Sequence, residues 1–186
     1  GMELDPVALA HARRNQTRLA LARSFAEALP VRSGGAAAVT ALDVLEHLDD
    51  DVVALRELGR IVGPGGLVVV AVPAYPWAWS DHDVRLGHRR RYRRPQLVEV
   101  AEAAGLDVVR CTHFHSWLTP IAWVVRRTPV GKLASGSSAE EASFGNRWIN
   151  RVLQIVTDVE RTFLARHDGP VGLSILLVAR VPGESG

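Results

Sequence analysis

Apolar positions along the chain fall into alternating blocks of two periods. Asp5-Pro6 is a helix start, because Asp accepts orphan N–H bonds and Pro is tolerated at the first helical position; Val7, Leu9, Ala10 and Ala12 carry that helix to about Asn15. Short apolar runs at 19–25 and 36–42, separated by Pro30 and by Arg32-Ser33-Gly34-Gly35, read as strands. Asp49-Asp50-Asp51 then caps a helix whose Val52, Val53, Leu55, Leu58, Ile61 and Val62 keep helical spacing until Gly63-Pro64-Gly65-Gly66 stops it. Leu67 to Val72 is a continuous β-branched run, the mark of a parallel strand buried on both faces.

After a polar and aromatic segment at 73–94, Pro95 opens a helix to about Ala104, Gly105 ends it, and Leu106 to His115 alternates as a strand. Residues 117–125 are apolar, and 128–145, rich in Gly, Ser and Ala, reads as a mobile insertion. Trp148 to Leu164 has a strong amphipathic pattern, and Val171 to Val181 is a last strand. The strand–helix–strand rhythm predicts an α/β fold in one domain spanning 1–186.

Composition changes this picture little. With 47% hydrophobic residues, 23% charged residues and a formal net charge of +2 over 186 residues, the chain can bury a core, and its global charge calls for no nucleic-acid partner. The single Cys111 cannot form an internal disulfide, and no uncharged run approaches the roughly 18 residues of a membrane span, so a cytoplasmic protein is the expectation. Gly1-Met2 leaves two readings open, a linker remnant before an initiator methionine or natural sequence.

Four segments in order, Glu3-Leu4-Asp5-Pro6, Ala26 to Pro30, Ala41 to Leu48 and Leu58 to Gly66, resemble the class I S-adenosylmethionine (SAM) methyltransferases. The resemblance implies a Rossmann-like sheet with a C-terminal antiparallel strand pair, incomplete at the N-terminus because the family's first strand and glycine-rich turn belong before Glu3. It implies that SAM is the cofactor, with Glu3 on the ribose hydroxyls, Ala26 at the adenine, and Leu42 and Asp43 beside the methionine end. Phe25 stands where the family usually has an Asp that receives the adenine amino group.

Asp43, Glu46 and His47, at i, i+3 and i+4, would share one helical face. They resemble the Glu-x-x-Glu-His pattern of ubiquinone-pathway O-methyltransferases and plant-type small-RNA 2′-O-methyltransferases, which implies a divalent cation; the other reading is capping plus a structural ion pair. The segments Pro73 to Asp83 and Gly87 to Tyr92 resemble a bacterial subgroup of the same methyltransferases and belong over the active site. Within them His82 and His88 are candidate general bases, since histidine changes charge near neutral pH, and His88 is also a candidate for the metal set.

The five arginines between Arg89 and Arg94 are either an anion or phospholipid site or a solvated face. Trp117, Trp123 and Trp148 are either core or an apolar acceptor pocket or membrane-facing patch. The function implied is methyl transfer to a small-molecule or lipid-linked acceptor. The alternative is an inactive remnant that binds or oligomerises, and a homodimer across the vacant strand position is one way to cover the exposed edges.

Overall fold

The computed structural model describes residues 1–15, 20–120, 123 and 147–183; the 128–145 segment lies outside these. Strands β1 (Met2–Glu3) and β2 (Ala22–Arg23), joined by helix α1 (Pro6–Asn15), form a two-stranded parallel sheet. A second sheet has the order β3–β4–β6–β5, from β3 (Ala38–Leu42), β4 (Leu67–Pro73), β5 (Asp107–Phe114) and β6 (Ser174–Arg180). Pair β3–β4 is parallel, whereas β6 runs antiparallel to both of its neighbours. The expected antiparallel C-terminal pair is therefore β5–β6, and β1–β2 form a sheet separate from the four-stranded one.

Helix α2 (Asp51–Val62) starts where the Asp50 carboxylate accepts the Val53 N–H at 2.9 Å and stops at Gly63, whose φ of 77° suits glycine. Three residues on, Gly66 is fixed by close approach: a Cβ there would run into Val62 and the Ala37 carbonyl. This turn delivers β4 back beside β3. A helix at Arg94–Ala103, the fourth in the chain (α4), packs beside α2, and Leu55, Leu58, Ile61, Leu97 and Ala101 meet Val68, Val70, Val72, Ile175, Leu177 and Ala179 in the core. Each fully buried aliphatic side chain there stabilises the fold by roughly 1.5–3 kcal/mol.

The structure departs from the sequence pattern in three places. The strand read at 19–25 contracts to Ala22–Arg23, since its partner β1 offers two residues to pair with. On β4, Val68, Val70 and Val72 are buried, but Leu67 and Val69 are half-buried, so the faces are unequal. The 73–94 segment contains a 3-10 turn at Pro76–Ala78 and a short helix, α3 (Asp81–Leu86). Helix α5 (Arg147–Leu164) completes the described elements. No described helix is long and apolar enough to cross a membrane.

Candidate functional site

Most of the candidate side chains lie beyond the carboxyl ends of β3 and β4. Leu42, the last residue of β3, is 58% exposed; Asp43 follows in left-handed backbone with φ 52° and donates its N–H to the Ala71 carbonyl at 3.0 Å. That conformation breaks the helical register expected for Asp43, Glu46 and His47, and a 3-10 turn spans Leu45–His47 alone. The turn buries Leu45 and Glu46 completely.

Glu46 brings a carboxylate into the interior, and neither oxygen has a hydrogen-bond partner. Burial pushes its pKa up to about 7, and Asp43 adds a smaller push by like charge. The His47 and His88 rings meet edge to face with centroids 4.8 Å apart. Ligand-type atoms of Glu46, His47 and His88 all lie within 4.8 Å of one another, and Asp43 is not part of this grouping. Of the sequence candidates for a metal set, the grouping brings together Glu46, His47 and His88.

Asp83, to which sequence reasoning gave no role, organises this cluster. It is fully buried on α3 and accepts from Arg91 Nε at 2.7 Å, Arg91 Nη2 at 3.1 Å, the Ser80 N–H at 2.8 Å and the Ser80 hydroxyl at 3.1 Å. Its Oδ1 also accepts from His88 Nδ1 at 2.9 Å. Burial alone would raise the Asp83 pKa, but the Arg91 and His88 hydrogen bonds outweigh it and hold the carboxyl down at about 2. An ionised carboxylate only accepts, so Nδ1 of His88 carries the proton in this hydrogen bond. The detectable signal was the Ser80-x-x-Asp83 spacing, that of a capping box.

Three of the five arginines, Arg89, Arg90 and Arg91, bond to the protein itself. Arg89 donates its backbone N–H to the Glu46 carbonyl at 2.7 Å and Nε to the His47 carbonyl at 2.9 Å, and its guanidinium pairs with Asp49. Arg90 bonds Asp51 and the Leu48 and Asp49 carbonyls at 2.9–3.1 Å, while Arg91 also donates to the Ala74 carbonyl at 3.2 Å. The buried Tyr92 hydroxyl donates to Asp51 at 2.8 Å. Residues 88–92 are a strap that ties the 45–51 turn to the end of β4, which leaves Arg89, Arg90 and Arg91 engaged with the protein itself.

Other sequence candidates lie apart. His82 is exposed on α3 and outside the Glu46–His47–His88 grouping. Glu3, exposed at the end of β1, accepts the Asp5 N–H on Oε1 at 2.9 Å. Ala26 sits half-buried in the turn after β2, and Phe25 beside it is 61% exposed. Glu3 and Leu42 both end parallel strands, but of different sheets.

The profile of a methyltransferase-domain family matches residues 2–110, more than half of the chain. A probable S-adenosylmethionine-dependent methyltransferase of Mycolicibacterium smegmatis is 28% identical over 110 residues, covering 58% of this chain and 43% of the relative. A protein of Mycobacterium tuberculosis with the same description is 27% identical over 117 residues, covering 61% and 43%. The chain spans less than half the length of these curated relatives. Among solved structures, the methyltransferase in complex with the Trm112 activator from Haloferax volcanii superposes with a TM-score of 0.61 at 19% identity, over 98% of this chain and 71% of that one. A possible histamine N-methyltransferase of Thermotoga maritima gives 0.59 at 15% identity, over 97% and 71%. At these identities the likeness shows the fold, a Rossmann-like α/β sheet.

Proposed function

The chain belongs to this methyltransferase-domain family, and from that premise we propose that it binds SAM and transfers its methyl group to a small-molecule or lipid-linked oxygen or nitrogen nucleophile at the carboxyl edge of β3 and β4. The observation that carries the reading is the Asp83–His88 pair, placed with Glu46 and His47 beyond the end of β3. When bound, SAM supplies an electrophilic methyl group on a sulfonium, so the methyl–sulfur bond breaks as the bond to the acceptor forms and its electron pair stays on sulfur.

The residues fit that cofactor in kind. Glu3 keeps a carboxylate oxygen for ribose hydroxyls beyond the one engaged by Asp5, and the exposed Leu42 and Phe25 offer apolar surface at strand ends. Ala26 is assigned to the adenine and Asp43 to the methionine end. His88 Nε2 takes the acceptor's proton, while Asp83 fixes the tautomer and Arg91 keeps Asp83 ionised. His82, on the exposed side of α3, is the second candidate base.

A metal-assisted variant is favoured by one observation, the buried Glu46 carboxylate that lacks a partner beside two imidazoles. Glu46, His47 and His88 would hold a divalent cation: their oxygen and nitrogen donors suit such an ion, and its charge would polarise an acceptor hydroxyl.

Calorimetric titration of the folded chain with S-adenosylhomocysteine tests the main reading: saturable binding is expected, and its absence discards it. Titration with Mg²⁺, Mn²⁺ or Zn²⁺ tests the variant, with Glu46→Gln expected to abolish any heat seen with wild type.

A further inference from the structure

Helix α5 carries an apolar stripe on its outer side. Its inner side, with Leu153, Val156, Glu160 and Leu164 half-buried, is anchored just past β5. There the Glu160 carboxylate accepts the His115 N–H at 3.1 Å and the Ser116 N–H at 2.6 Å, and the Leu164 carbonyl accepts Arg110 Nη2 at 2.6 Å. Ile155, Val159 and Phe163, at i, i+4 and i+8, share another face and are 56%, 65% and 48% exposed. A surface helix ordinarily turns such a stripe toward the core. Val171, whose carbonyl accepts the Ser116 hydroxyl at 2.8 Å, adds a further exposed apolar side chain at the same end of the sheet.

The charge around the stripe is positive. Arg151, one turn before Ile155, and Arg166, three residues past Phe163, bracket it; both are exposed and neither forms an ion pair among the described residues. Asp158, the acidic residue on the flank, is matched by Arg161 at 3.4 Å. Three half-exposed aliphatic and aromatic side chains fall well short of the ~800 Å² per partner that a stable protein interface buries. A helix lying in the plane of a membrane surface needs less: an apolar stripe of this kind and cationic residues beside it for anionic headgroups.

We propose that the outer face of α5 docks on an anionic phospholipid surface, with Ile155, Val159 and Phe163 entering the headgroup boundary and Arg151 and Arg166 meeting lipid phosphates. Pro73 and Phe114 both pair with Ser174, so β4 and β5 end at one edge, and α5 is anchored at that edge. Docking therefore brings the carboxyl edge of the sheet to the lipid, where a lipid-linked acceptor would be met. That last clause rests on the methyl-transfer reading; the docking itself does not.

The test is co-sedimentation of the full chain with vesicles of pure phosphatidylcholine and with vesicles of equal parts phosphatidylcholine and phosphatidylglycerol. Binding is expected to the mixed vesicles, weaker to pure phosphatidylcholine, and reduced by added salt. Val159→Glu, at the most exposed position of the stripe, should weaken binding to the mixed vesicles by about ten-fold or more. Arg151→Gln and Arg166→Gln should each weaken it about five-fold. None of these changes should alter Tm or S-adenosylhomocysteine binding. No binding to the mixed vesicles, equal binding to both compositions, or binding unchanged in Val159→Glu would overturn the proposal. So would self-association in light scattering that Val159→Glu abolishes without any vesicle binding, which would assign the stripe to a second copy of the chain. If the mixed vesicles bind in a Val159-dependent way while S-adenosylhomocysteine does not bind, the docking face stands and methyl transfer falls.

Discussion

Replacing Glu46 by glutamine tests the electrostatics of the site without changing its shape. The Glu46 side chain is fully buried, its oxygens have no donor, and burial raises its pKa from an ordinary 4.5 to about 7. The folded protein therefore holds a proton that the unfolded chain releases between these values, and stability must fall as pH rises. The favourable state is complete below about pH 4.5 and is lost as pH climbs through 7. At about 1.4 kcal/mol per unit, ionised Glu46 costs the fold about 3 kcal/mol at alkaline pH, of which about 2.5 kcal/mol develops between pH 5 and pH 8. The substituted amide carries no charge at either pH. Urea unfolding of wild type and Glu46→Gln at both values, with a chelator present, should thus show the variant gaining about 2.5 kcal/mol on wild type across the interval. His113, whose pKa is lowered by burial, acts in the opposite sense but is common to both proteins and cancels in the difference. Parallel pH profiles for the two proteins would refute the reasoning.

Three further outcomes follow from the packing. Asp83→Asn leaves the Arg91 guanidinium buried without its counter-charge and should cost about 3 kcal/mol in urea unfolding; nitrogen-15 spectra should also show His88 losing its preference for the Nδ1–H tautomer. Gly66→Ala forces a methyl group into Val62 and the Ala37 carbonyl and should destabilise by about 1–3 kcal/mol, visible as a lower Tm. Leu55→Ala removes a fully buried side chain at the centre of the α2 face, with an expected loss of about 2–5 kcal/mol in urea unfolding.

Much of the fold is written in local pattern. Helix α2 was readable because the Asp50 cap and Gly63 stop are neighbours in sequence of the apolar stripe they bound, and β4 because a β-branched run between glycines and Pro73 has few other uses. Helix α3 escaped because its one buried residue is Asp83, a carboxylate whose partner Arg91 lies eight residues away. Charge alone could not tell a solvated arginine face from the inward strap, since the carbonyls and carboxylates that Arg89 and Arg90 engage lie about forty positions earlier. The Glu46–His47 pair was visible as a motif and His88 as a candidate beside it, whereas the left-handed backbone at Asp43, with its hydrogen bond to β4, is a feature no local pattern announces. The stacking of Tyr75 on His113 depends on β6 bringing two distant strand ends together, and nothing in either segment announces it.

The most direct measurement is a crystal structure of the chain grown with S-adenosylhomocysteine. The ribose hydroxyls are expected on Glu3, the adenine by Ala26, and the sulfur beyond Leu42, on the side of the His88 imidazole. A nucleoside bound away from these strand ends, or ordered protein with no nucleoside at all, would contradict it.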